Sequence, residues 1–381
     1  MFSNRILMSI VILVAATLLV PAPAQACSAF VTDGGGPVLF GRNFDFFTGT
    51  GFVTVNPRSL EKTALVPPPE VPAKWVSHYG SVTFNQVGRE FPMGGMNEKG
   101  LVVECLWLNA TQYPAPDGRA ALTELQWIQY CLDTCATVAD VLDADRKVRI
   151  LPSATRLHFL VCDRSGAAAV VEFVGGKTVT RGPAGLPVRA LANAVYGDSL
   201  EALKGFRGFG GEREIPAAVQ ENDVRFARMA GALRELSGRA GAGGLDRAFD
   251  LLRRSRYDGE ESPTQWSIVY EPARGEIHFV TRQAPARQRV RLADFGFDCT
   301  TPAKVLALDP PPDGGPARGF TDYDAAVNAA HTRATMAAMK KAGYCGDLPD
   351  FVPFILGAYP QTLTCASAEK PGKTTNNTDL H

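Results

Sequence analysis

Residues 27–46, CSAFVTDGGGPVLFGRNFDF, alternate apolar and polar side chains on either side of three consecutive glycines. A period of two marks a half-buried strand, and a glycine run gives the backbone the freedom of a tight reversal. The stretch therefore predicts a β-hairpin whose second arm returns Arg42 and Asp45 to the side of Cys27. Any fold for this chain must accommodate that hairpin and must give the cysteine a purpose.

The preceding segment bears on that purpose. Arg5 is the only charge ahead of Asp33, residues 6–20 are almost wholly apolar, and Ala24-Gln25-Ala26 forms an A-x-A site. A basic start, an apolar stretch and a small-residue cleavage site predict a signal peptide over residues 1–26 and a periplasmic or secreted chain that starts at Cys27. A transmembrane anchor would need about 20 apolar residues, and Pro21 and Pro23 interrupt this run. A lipoprotein signal would acylate Cys27, but such signals usually carry leucine three residues before the cysteine, where Ala24 stands.

Cleavage would give Cys27 a thiol and a free α-amine, the amine having a pKa of about 8 against roughly 10 for lysine. Such an amine can take the thiol proton near neutral pH and return it to a leaving amine, so no histidine is required. The five histidines (His78, His158, His278, His331, His381) fall in no recognisable motif. Beside Cys27, Arg42 is a permanent cation that favours a thiolate, and Asp45 can orient the amine. An exposed Arg42–Asp45 salt bridge, worth little, is the competing reading of the same spacing.

Lys plus Arg and Asp plus Glu both total 39, a formal charge of zero that falls to about −1 once Arg5 is removed. That balance points neither to nucleic acid nor to an anionic membrane surface, and no membrane association is expected after signal cleavage. No CxxC pair or Cys/His cluster occurs among the eight cysteines, so neither metal nor cofactor is expected. Cys131 and Cys135, four apart on a predicted helix, have awkward disulfide geometry, whereas an oxidising compartment could pair two of Cys299, Cys345 and Cys365. Cys105 and Cys162 sit in strand patterns and read as small core residues.

Helical periodicity covers roughly 120–144, 222–237, 244–255 and 322–343, and strand patterns cover 51–56, 79–85, 101–108, 155–173, 188–195 and 265–282. Strand blocks separated by helix pairs predict α+β layering rather than a parallel βαβ sheet. No compositional break divides the chain. One catalytic domain is expected over 27–368, with a C-terminal helical extension at 307–368 entered through a Pro/Gly run and a disordered tail at 369–381.

Cys27, then LFGRNFD at 39–45 and GMNEKGLVVECLWLNATQYP at 95–114, resembles the choloylglycine hydrolase family of N-terminal-nucleophile amidases. LANA at 191–194, VRF at 224–226 and TQW at 264–266 continue the resemblance in the family's order. It implies a four-layer αββα sandwich, two antiparallel sheets between helix layers. It also implies a small-molecule N-acyl amide substrate whose linear amide bond is cleaved through a thioester on Cys27. Arg42 and Asp45 would hold and tune the nucleophile, Asn193 would bind the oxyanion and Arg225 would complete the polar network. From the residues alone, Asn193 equally suits a turn and Arg225 a plain helix.

Trp107 stands where Gram-positive bile salt hydrolases place a second oxyanion asparagine, and in this the chain resembles Gram-negative penicillin V acylases. Trp107 would line the acyl pocket; Trp107, Asn109 or a backbone amide would be the second oxyanion donor. The short Asn193–Arg225 interval lacks the long loop of tetrameric relatives, so a homo-oligomer, if formed, would use other contacts. Penicillin V or an acyl-homoserine lactone is the expected type of substrate, with a conjugated bile salt as the alternative. A lipid-anchored or non-catalytic binding protein is the reading from another class.

Overall fold

The computed structural model describes residues 27–32, 36–153, 155–216, 221–237, 244–308, 319–344 and 348–367. The expected signal segment, most of the Pro/Gly run at 308–319 and the expected tail at 369–381 lie outside these residues, as does Cys345.

The opening hairpin forms as its alternation predicts. Ser28–Val31 runs antiparallel to Phe40–Asp45, with Ala29 opposite Arg42. Gly41 is demanded by packing, because a Cβ there would lie 2.3 Å from the Phe30 ring. This hairpin sits inside a six-stranded antiparallel sheet ordered Ala190–Leu191, Ser28–Val31, Phe40–Asp45, Thr264–Glu271, Glu276–Thr281, Gln288–Arg291.

A nine-stranded antiparallel sheet faces it, ordered Lys177–Arg181, Ala168–Val174, Leu157–Cys162, Val102–Trp107, Gly94–Asn97, Ser81–Asn85, Phe52–Asn56, Lys304–Ala307, Thr321–Asp322. Helices Asn222–Ser237 and Gly244–Arg254 cover the outer face of the first sheet, and Glu124–Thr134 and Val138–Ala144 that of the second. The fold is a four-layer αββα sandwich. Its core holds Phe30, Phe40, Phe84, Val103, Phe159, Trp266 and Tyr270, all buried. Strands buried on both faces read as near-continuous apolar runs, which explains VVECLW and LHFLVC.

Two elements depart from their sequence patterns. The helix expected over 120–144 is a strand, Ala120–Leu122, followed by two helices. Thr123 caps the first helix through Gln126 N, and a reciprocal Thr137–Asp140 capping box restarts the second. The strand expected at 188–195 pairs only over Ala190–Leu191, because Glu172 accepts the Tyr196 N–H at 2.9 Å and starts a helix at Tyr196. That early stop leaves Asn193 in a turn above the sheet.

The C-terminal extension packs its Ala325–Lys341 and Val352–Ala358 helices together. Asn328 Oδ1 accepts the Arg89 N–H at 2.9 Å, and His331 Nε2 lies 2.8 Å from Gln86 O, so the extension is docked on the sandwich. A disulfide joins Cys299 to Cys365, with Cα atoms 5.7 Å apart, while Cys27, Cys105, Cys131, Cys135 and Cys162 are free and buried. Among the described residues no helix is long and apolar enough to cross a membrane.

Candidate active site

Cys27 directly precedes the Ser28–Val31 strand of the hairpin and is 3% exposed. Its thiol donates to Asp45 O at 3.7 Å. Strand alternation puts Cys27 and Ala29 on the same face as Arg42 and Phe44, turned toward the second sheet. Burial pushes the thiol up, against the opposing pull of the Arg42 cation.

Arg42 crosses the sandwich. Its Nη2 donates to Cys105 O at 2.7 Å and its Nε lies 2.9 Å from Glu104 Oε2. The Tyr270 hydroxyl donates to the other oxygen of Glu104. Burial pushes the Glu104 carboxyl up to about 7, with Arg42 opposing. Burial works against the Arg42 charge as well, but Glu104 raises its pKa on balance. The partner of Arg42 is thus Glu104 on the facing sheet rather than Asp45, and the pair is buried, which removes the surface salt-bridge reading.

Asp45 ends the same strand, fully buried. Its Oδ1 accepts from Thr264 Oγ1 at 2.5 Å, and its Oδ2 has no hydrogen-bond partner among the described residues. Burial pushes this carboxyl up to about 7, while Arg225, Thr264 and Arg42 favour its ionised form. The TQW segment explains itself here. Beside the Thr264 contact, Gln265 Nε2 donates to Phe46 O and Trp266 Nε1 to Gly49 O, each at 2.8 Å. Thr264 thus holds the last residue of the strand, and Gln265 and Trp266 hold the segment that follows it.

Asn193 and Arg225 complete one bonded chain beside Cys27. Arg225 Nη1 donates to Cys27 O at 3.0 Å and its Nη2 to Asn193 Oδ1 at 2.8 Å. Asn222, one helical turn earlier, accepts from the same Nη2 and donates through its own amide to Asn193 O at 3.3 Å. The Asn193 amide nitrogen donates to Trp107 O at 2.8 Å. Arg225 fixes which end of the amide is nitrogen, and among the described residues the second N–H of that nitrogen has no acceptor. Asn193 thus lies in a turn and Arg225 on a helix, and Arg225 links the Asn193 side chain to the Cys27 carbonyl.

Trp107 ends its strand half-buried, and its indole N–H donates to Asn109 Oδ1 at 2.6 Å. That bond occupies the indole donor and holds the ring. The Leu108 N–H donates to Arg156 O at 2.9 Å, so alternation turns the N–H of Trp107 to the side where its carbonyl meets Asn193.

Sequence reasoning missed Glu104 and Asn222 and assigned no role to Thr264. Glu104 lay inside the quoted VVECLW run, where a carboxylate in an otherwise apolar strand was the available signal. Among the described residues one group, Glu271, Glu276 and His278, brings three potential metal-ligand atoms within 4.8 Å. His278 Nε2 already lies 2.9 Å from Glu271, and Arg274 adds a cation 3.4 Å from the same carboxylate, which disfavours a metal.

Two facing antiparallel sheets between helix layers, with a cysteine directly before an inner strand, define the N-terminal-nucleophile hydrolase fold. The structure of penicillin V acylase from Agrobacterium tumefaciens superposes with a TM-score of 0.67 at 25% identity, covering 78% of this chain and 98% of that one. Conjugated bile acid hydrolase from Clostridium perfringens shares the fold at a TM-score of 0.61 and 17% identity, over 78% of this chain and 96% of that one. Residues 27–180 match the model of the linear amide C–N hydrolases, choloylglycine hydrolase family. Penicillin V acylase of Pectobacterium atrosepticum is 31% identical over 122 residues, 28% of this chain and 32% of that relative. The chain thus aligns with about a third of that relative's length.

Proposed function

We propose that the chain is an exported amidase that hydrolyses the linear amide bond of a small N-acyl substrate, of the penicillin V or acyl-homoserine lactone type, with Cys27 as nucleophile. The observation that carries this reading is the acceptor beside Cys27: Asp45 Oδ2 is buried and has no hydrogen-bond partner among the described residues. An unsatisfied buried carboxylate oxygen is costly, and an α-ammonium on Cys27 would satisfy it. The Cys299–Cys365 disulfide supports an oxidising compartment, where such bonds persist.

In this reading, removal of residues 1–26 frees the α-amine, which Asp45 orients and which takes the Sγ proton. The thiolate attacks the amide carbonyl and forms a C–S bond. The developing oxyanion is met by the free Asn193 N–H and the backbone N–H of Trp107. The C–N bond then breaks, the α-ammonium protonates the departing amine, and a thioester remains. Water, giving its proton to the α-amine, attacks the thioester; the acid leaves and the thiol is restored. Arg42 and Arg225 stabilise the thiolate and hold Cys27 and Asn193 in register.

The test joins the mass of the exported protein with a substrate panel. A start at unmodified Cys27 is expected, together with a thioester adduct on that residue during turnover and kcat/KM higher for penicillin V or an acyl-homoserine lactone than for a bile conjugate. Cys27→Ser should lose most activity while Cys162→Ser keeps it. A lipid adduct, a different start, or equal losses at both cysteines would overturn the mechanism. A tenfold advantage for the bile conjugate would reverse the substrate assignment.

A further inference from the structure

Lys62 lies on the Leu60–Thr63 strand with its side chain fully buried, a rare place for an ammonium. Its Nζ stands 2.9 Å from Asp133 Oδ2 and 2.5 Å from Glu90 Oε2, and both carboxylate side chains are at most 1% exposed. Asp133 belongs to the last turn of the Glu124–Thr134 helix. Glu90 sits in a turn with φ at 76°, in the left-handed region that a glutamate rarely takes.

The surroundings favour chemistry between the lysine and Asp133. Gln129, one helical turn earlier, donates through Nε2 to Asp133 Oδ1 at 2.8 Å, and Trp75 Nε1 donates to Oδ2 at 2.8 Å. Burial pushes the Asp133 carboxyl up, against the pull of the Lys62 cation. Arg89 lies 3.3 Å from Glu90 Oε1, so Glu90 has a counter-charge of its own. Burial also pushes the Tyr359 phenol up, and the Glu90 and Asp133 charges add to that rise, which puts this buried residue of the C-terminal extension beside the cluster. Bulk water is thereby kept out.

We infer that Lys62 and Asp133 are a modification site at which the chain cross-links itself through an isopeptide bond, with Glu90 as the proton carrier. Glu90 takes a proton from the Lys62 ammonium, and the freed Nζ attacks Asp133 Cγ to form a C–N bond. Gln129 holds Oδ1 while it carries the negative charge of the tetrahedral intermediate. Glu90 returns its proton to Oδ2, which takes a second proton from nitrogen, and the C–O bond breaks to release water. The charges of Lys62 and Asp133 cancel, the Glu90–Arg89 pair is restored, and no other reactant enters. Two charges held out of water are costly to the fold, and one neutral amide replaces both. The bond would tie the Leu60–Thr63 strand to the Glu124–Thr134 helix. This inference is independent of the amidase reading.

The test is the intact mass of the folded full chain after reduction, followed by peptide mapping. The expected mass is lower than the sum of the residues by one water, with a single branched peptide that joins Lys62 to Asp133. A full mass, or a water loss that maps to any other pair, would overturn the inference, and neither result depends on how a variant folds. Lys62→Arg keeps the cation but offers no nucleophilic amine, so its chain should retain the water. Glu90→Gln should also retain it while Lys62 and Asp133 stay in place. If native-like Glu90→Gln protein forms the bond as fully and as fast as wild type, the role of Glu90 is overturned.

Discussion

Arg225 donates to the carbonyl of Cys27 at 3.0 Å and, through its other terminal nitrogen, to Asn193 Oδ1 at 2.8 Å. One guanidinium therefore fixes both the Cys27 backbone and the Asn193 amide, the two groups proposed as nucleophile and oxyanion donor. Its burial lowers its pKa, so the arrangement costs the fold something and is kept for its geometry.

Asn193→Ala should lower kcat about 10²–10³-fold, the cost of losing one preorganised oxyanion donor, with KM little changed. Arg225→Lys keeps the charge but cannot span both acceptors, so a loss of comparable order is expected. Steady-state kinetics on the favoured substrate checks both. A change confined to KM in Asn193→Ala would show that this amide binds substrate instead of oxyanion.

The Asp45 carboxyl, pushed by burial from 3.8 up to about 7, should make stability depend on pH in the chain that retains residues 1–26. A carboxyl with a raised folded pKa contributes stability that is complete below its unfolded pKa and is lost as pH rises through 7. Asp45→Asn removes that loss, so the variant's Tm relative to wild type should climb between about pH 4 and pH 7. Thermal unfolding across that range tests it; a flat difference would place the titration elsewhere. In the chain processed to Cys27, the α-ammonium beside Asp45 should favour the carboxylate and shrink the effect.

Glu104→Leu strands Arg42 as a buried, uncompensated charge between the sheets. Breaking a buried pair in this way costs about 3–5 kcal/mol, so a large drop in Tm is expected. The paired change Arg42→Met with Glu104→Leu should recover much of that stability without recovering activity. Recovery of activity as well would remove Arg42 from the catalytic machinery.

The Cys299–Cys365 bond closes a loop with a sequence separation of 66. A loop of that length corresponds to about 4 kcal/mol in the chain-entropy model. Reductant should lower the Tm of wild-type protein and leave a Cys299→Ser/Cys365→Ser variant unaffected. Equal responses of the two would mean that the reductant acts at another site.

How far the site was legible follows from where its information lies in the chain. Cys27, Arg42 and Asp45 belong to one hairpin, so period-two alternation and a glycine turn bring them together without help from the rest of the fold. Asn193 and Arg225 lie far from that hairpin, and their own neighbourhoods read equally as a turn and a helix. The capping devices at Thr123 and Thr137 were present in the sequence, but helical periodicity on both sides concealed them.

What the sequence determined by itself was local: the strand and helix periods, the opening hairpin, and a cysteine whose neighbours suit thiolate chemistry. Tertiary structure decided the partners. Arg42 is spaced for Asp45 along the chain, yet it pairs with Glu104, because its side chain points across the sandwich and a buried cation takes the carboxylate that faces it. Tyr344 lies 317 positions beyond Cys27 by its number, and no periodicity relates the two. Only the docking of the C-terminal extension through Arg89–Asn328 and Gln86–His331 carries that ring to Phe47. Contacts of this kind depend on how separately formed layers close over one another, and that closure is set by the packing of the whole core, which no local stretch of sequence encodes.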